Sequence, residues 1–203
     1  SFKEKEVVYM KKRMKWLVTV TILMVAAVIA YYFYVNKGEQ SGNIGNENIV
    51  GEVDKVLNKD LEERYPYTVR EVVQFFVRIQ KCYYNEEYTE DELVKLAYKA
   101  TELFDTELIE ENPFDKYYEN LKKEINLYKK TGKYISKVML AENSEVEYST
   151  VDNQSYASMK CIYYLKDEKG TSKVEEIYVL RKDENDRWKI LGWKEYEGSE
   201  WEQ

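Results

Sequence analysis

The chain contains no histidine. That excludes imidazole general bases, histidine-containing triads and histidine-ligated zinc. Two cysteines in 203 residues are too few for a disulfide framework or a four-cysteine zinc site. Two prolines and eight glycines exclude collagen-like and proline-rich chains. A phosphate-binding loop, a Gly-x-Ser-x-Gly nucleophile turn and the calcium loop ending in glutamate are also absent, and Asp183, Asn185 and Asp186 read as an ordinary turn. What is present is charge and apolar mass. Charged residues make up 34% and the formal net charge is −7, which argues against nucleic acid as a partner. Apolar residues at 44% suffice for a packed core, and the length allows one domain with an appendage.

The charge is unevenly distributed. Residues 1–35 carry a net +4, from Lys3, Lys5, Lys11, Lys12, Arg13 and Lys15 against Glu4 and Glu6, whereas the rest carries −11. Between these parts, residues 16–35 read WLVTVTILMVAAVIAYYFYV, 20 residues without a formal charge. As a helix this stretch is long enough to cross a hydrocarbon core of about 30 Å. Trp16 stands at one end and Tyr31, Tyr32 and Tyr34 at the other, in the manner of interfacial aromatic belts. The basic cluster before it predicts a cytoplasmic N-terminus and an extracytoplasmic C-terminal domain, with the lipid bilayer as a partner at the cell membrane. A cleaved signal peptide is the alternative, with Val28-Ile29-Ala30 offering small residues at the required positions.

Residues 36–48, NKGEQSGNIGNEN, read as a flexible tether. Val53, Val56, Leu57 and Leu61 are spaced for a short helix leading into the folded part. Three longer helices follow. Thr68 and Glu71 form one capping box and Thr89 and Glu92 another, each ahead of an apolar face. Asn112 reads as the cap of the third helix, with Pro113 at its first position and Gly132 closing it. After Gly132 the apolar period becomes two, which predicts strands over 133–141, 145–151, a third carrying Ala157 to Leu165 in alternation, 173–181 and 187–196. Short turns between them predict an antiparallel meander, and helices followed by strands predict an α+β class. The domain reading is therefore a basic segment at 1–15, a transmembrane helix at 16–35, a linker with its short helix at 36–62, an extracytoplasmic domain at 63–197 and a tail at 198–203.

That order of elements resembles the nuclear-transport-factor-two-like fold, a cone in which a curved antiparallel sheet wraps about three helices. The stretch with Tyr65-Pro66, Thr68, Arg70-Glu71-Val72-Val73, residues 78–82 and Asn112-Pro113 also resembles a family of single-pass membrane proteins of Gram-positive anaerobes. The family resemblance implies no assigned activity. A cytoplasmic stub, one span and an outer cone is similar in layout to the bitopic scaffold subunit of type IV secretion channels, which works by self-association and by binding other channel parts.

Aromatic residues are 15% of the chain and tyrosine alone accounts for 20 residues. Tyr83, Tyr117, Tyr163, Trp188 and Trp193, with Tyr84, Tyr118 and Tyr164 beside them, are candidates to line a cavity or an interface, or to serve as ordinary core and sheet-surface residues. Cys82 and Cys161 read either as a redox pair or as two buried apolar side chains. No catalytic residue, metal ligand or cofactor site emerges. The leading expectation is a membrane-anchored, non-enzymatic binding or assembly module, docking to an envelope protein or to its own copies. The alternative is a tethered receptor for a small apolar or aromatic ligand. An isomerase-like enzyme would need a buried carboxyl facing a tyrosine in the cavity, and the sequence singles out no such pair.

Overall fold

The computed structural model describes residues 51–196. Helix α1 (Glu52–Leu57) precedes α2 (Val69–Asn85), α3 (Glu90–Thr101), α4 (Thr106–Glu111) and α5 (Phe114–Thr131). Strands β1 (Tyr134–Leu140), β2 (Glu147–Val151), β3 (Gln154–Asp167), β4 (Gly170–Lys182) and β5 (Trp188–Glu195) follow in one antiparallel sheet. Both capping boxes form. The Thr68 hydroxyl accepts the Glu71 amide at 3.1 Å while the Glu71 carboxylate accepts the Thr68 amide at 3.0 Å. Thr89 and Glu92 reciprocate at 3.3 and 2.7 Å. Gly132 ends α5 with φ of 60°, a left-handed conformation that costs glycine nothing sterically.

The core lies between α2 and one face of the sheet. Nine residues of α2 are buried, including Val72, Phe76, Ile79 and Tyr83. From the sheet, alternate residues of β3 (Ala157, Met159, Cys161, Tyr163, Leu165) meet them, as the period of two requires. Cys82 and Cys161 are both buried and unbonded.

The structure corrects the predicted fold class in two respects. The sequence predicts three helices on the sheet, and five are present among the described residues. Of the two beyond those three, α1 is the short helix that the spacing of Val53, Val56 and Leu57 predicts, and α4 has six residues, none of them buried, too few to display an apolar period. Second, among the described residues no helix is long and apolar enough to cross a membrane. The predicted spanning segment 16–35, the basic segment 1–15, the tether 36–48 and the tail 198–203 lie outside the described residues. The fold class is α+β with an antiparallel sheet and no spanning helix among those residues.

Two finer points also differ. Strands β1 and β2 both pair with β3, so the order is β1-β3-β4-β5 with β2 beside the first half of β3, not a plain meander. Asn112 does not cap α5. Its amide and side chain both donate to the Leu108 carbonyl and finish α4, and Pro113 takes the capping position. The folded unit also reaches back to α1, where Val53 and Val56 are buried, as is Leu61 after it.

Candidate functional site

A cavity of about 640 Å³ opens between α2, the α4–α5 region and the sheet. This is within the range of small-molecule sites. Helix periodicity builds two walls. Phe76, Gln80, Tyr83 and Tyr84 share one face of α2, and Tyr117, Asn120, Leu121, Glu124 and Tyr128 recur at three and four along α5. Leu108, Glu111 and Asn112 close the side at α4. The sheet contributes Tyr163 and Leu165 from β3, Val174 and Glu176 from β4, and Leu191 to Trp193 from β5.

Two irregularities shape the sheet here. On β5, Leu180 pairs with Ile190 while Val179 pairs with Gly192, so Leu191 is an extra residue. This bulge reverses the alternation. Trp193 pairs with Tyr178 and comes to the same face as Ile190, toward the helices, instead of the outer face. A second register shift lies between Ile135 and Lys137 on β1, and Ile135 also lines the cavity.

A hydrogen-bonded chain crosses one wall. The Tyr163 hydroxyl donates to Gln80 Oε1 at 2.7 Å, lies 2.7 Å from the Tyr178 hydroxyl, and the latter is 2.8 Å from Glu176 Oε2. Three contacts share two phenolic protons. Tyr178 donates to the Glu176 carboxylate, Tyr163 donates to Gln80 Oε1, and Gln80 Nε2 stands 3.5 Å from the Tyr178 hydroxyl as a further donor. Burial pushes the Glu176 carboxyl above its ordinary range, with Glu124 and Glu195 adding to the rise and the Tyr178 hydrogen bond opposing it. Tyr83 donates to the Leu96 carbonyl at 3.0 Å, so the 3.3 Å contact with Tyr117 is donated by Tyr117. Burial raises the Tyr83, Tyr84, Tyr163 and Tyr178 phenols, and lifts Tyr117 and Tyr128 to about 12. The phenols are therefore neutral donors and apolar faces at physiological pH.

Of the sequence candidates, Tyr83, Tyr117, Tyr163 and Trp193 come together on this cavity, with Tyr84 among them. Trp188 does not. It is buried away from the cavity, its carbonyl accepting the Tyr65 hydroxyl at 2.9 Å and its ring 5.7 Å from Tyr148. Tyr118 packs on Phe114 and donates to Glu90 at 2.6 Å, and Tyr164 is half-exposed with Lys137 over its ring. Sequence reasoning missed Gln80, Tyr178 and Glu176. A signal existed for the last two: Val174, Glu176, Tyr178 and Leu180 alternate, which puts a glutamate in the row that faces the helices. Among the described residues no group of three or more His, Cys, Asp or Glu is placed to hold a metal ion.

The chain belongs to the family of the domain of unknown function DUF6715, whose profile matches residues 8–193. No curated protein matches it. The family description attaches no activity, so the chemistry of the cavity has to carry the functional reading.

Proposed function

We propose that this domain is a non-enzymatic binding module whose ligand is a small molecule seated in the cavity between α2, α5 and the sheet. The observation that carries the reading is the cavity itself, about 640 Å³ walled by aromatic side chains from α2, α5, β3 and β5. A module that only docked to other proteins would have no need of it, because a filled interior packs more stably. The likeness to nuclear-transport-factor-two-like domains is part of the proposal and agrees with a cavity between helices and sheet.

A catalytic reading has one observation in its favour, the half-buried Glu176 beside Tyr178. Proton abstraction next to a carbonyl needs a base and a separate donor, both reaching the substrate. Here Tyr178 is fully buried and its hydroxyl is engaged by Glu176 and Tyr163, so it is not free to polarise a carbonyl in the cavity. The arrangement favours binding.

The test is thermal unfolding of the full chain against a panel of small aromatic and aliphatic compounds, with a Val174→Trp variant that fills the cavity. A ligand at a hundred times its Kd stabilises by about 2.7 kcal/mol. For a domain of this size that is a rise in Tm of roughly 5–10 °C. The rise is expected in the parent chain and not in the filled variant. No rise with any compound, or an equal rise in both proteins, refutes the proposal.

A further inference from the structure

We infer that the ligand of this cavity is a small organic cation, an amine or quaternary ammonium compound with an apolar body, held by aromatic faces against the Glu176 carboxylate. The inference rests on the cavity being a ligand site and deepens that reading by naming the ligand class. Its central observation is the contrast between two neighbouring glutamates on β4. Glu175 points to the outer face, where Lys160 at 3.2 Å and Lys173 neutralise it. Glu176 turns to the helix side, and among the described residues no lysine or arginine lies within 4.0 Å of it. Its hydrogen-bond partner is a neutral phenol, Tyr178. A half-buried carboxylate without a counter-charge is costly, and a bound cation supplies what the protein does not.

The rest of the cavity has the same polarity. Glu111 at the end of α4 and Glu124 on α5 also line it, so carboxylates stand on three walls. Among the described residues, no lysine or arginine lines it. Charge of one sign in a low-dielectric cleft concentrates the field and repels anions. Tyr128 stacks on Tyr84 at 4.3 Å and already has Lys133 over its ring at 5.6 Å, but the walls between the carboxylates also carry the rings of Phe76, Tyr84, Tyr117 and Trp193. Such faces attract ammonium groups through the ring quadrupole. A neutral ligand would desolvate Glu176 further and return nothing for it.

The experiment is calorimetric titration of the full chain near neutral pH with three probes of similar size: benzyltrimethylammonium, its neutral carbon isostere neopentylbenzene, and phenylacetate. The cation is expected to bind about tenfold or more tighter than the isostere, and phenylacetate not measurably. Glu176→Gln is expected to take away most of the cation's advantage and leave the isostere unchanged. An isostere that binds as tightly as the cation, or a Glu176→Gln protein that keeps the preference, overturns the cation inference while the cavity reading stands. If none of the probes binds, or the Val174→Trp variant binds them equally, the cavity reading falls and the inference with it. Should Glu176→Gln fail to fold, Glu124→Gln at its exposed position gives the second measurement: a severalfold loss for the cation alone is expected, and no loss overturns the inference.

Discussion

Replacement of Asp105 tests how the wall of the cavity is held in place. Asp105 is 5% exposed and joins three elements. Its carboxylate receives Arg181 Nε of β4 at 3.0 Å and also Arg181 Nη2, its Oδ1 accepts the Glu107 amide at 3.0 Å to cap α4, and its own amide donates to the Ile190 carbonyl of β5 at 2.8 Å. Asp105→Asn keeps the size and a competent helix cap but removes the charge. Breaking a buried pair from one side costs about 3–5 kcal/mol. The Arg181 side chain is 23% exposed and keeps Glu107 at 3.0 Å, which relieves part of that penalty. The expected loss is therefore about 2–3 kcal/mol. Asp105→Ala also removes the cap and should lose about 1 kcal/mol more. Adding Arg181→Met to Asp105→Ala should recover much of the loss, because no charge is then stranded. Denaturant unfolding of the four proteins measures all three quantities. A loss under about 0.5 kcal/mol for Asp105→Asn, typical of an exposed pair, would show that this contact does not fasten α4 to the sheet.

Three further outcomes are expected. Glu176→Gln should stabilise the protein near neutral pH: the folded carboxyl titrates above its ordinary 4.5, so the native state binds more protons than the unfolded chain in that window and the parent loses stability as pH rises through it. Tyr178, Tyr163, Cys161, Tyr128, Glu124 and Glu195 surround that carboxyl and carry no positive charge, so the gap between parent and variant should close as pH falls toward 4.5, and a pH-independent gap in parallel melts would refute the assignment. Thr68→Ala and Thr89→Ala should each cost about 1 kcal/mol and add independently, since the two capping boxes share no partner; strongly non-additive denaturation midpoints would contradict this. Burial lifts the Cys82 and Cys161 thiols to about 12, so a thiol reagent should label them in denaturant but hardly at all in the native protein, and rapid native labelling would show that the core opens there.

The elements legible in the sequence are those with a local code. Thr68 and Glu71 announce α2 because both halves of the capping box lie within four residues, and Gly132 announces the end of α5 because the left-handed position is a property of one residue. Strand alternation from Ala157 to Leu165 is likewise local, and the five strands fall close to where the period of two puts them. The elements that escape are held by distant partners. Helix α4 has no buried residue and no apolar stripe, and its N-terminus is fixed by Arg181, 76 positions away. The pairing of β1 with β3 across the intervening β2 is also a long-range choice.

The cavity was legible only as an inventory of aromatic side chains, and the reason lies in register. Trp188 and Trp193 are five residues apart, so a regular strand would put them on opposite faces; the extra Leu191 brings both to the helix side, and the one local sign of the bulge is Gly192 beside it. Glu176 could have been found, since it occupies the inward row with Val174 and Tyr178. It was hidden by its neighbour. A Glu-Glu pair in a chain with 38 acidic residues reads as a solvated run, yet successive strand residues face opposite ways, so one of the two had to point inward once Tyr178 and Leu180 did. The same geometry separates their electrostatics: Glu175 meets lysines on the outer face, while Glu176 meets a phenol and a cavity without a cation in its lining. Adjacent carboxylates in a strand are thus a place where alternation alone identifies a charge the fold leaves for a ligand to neutralise.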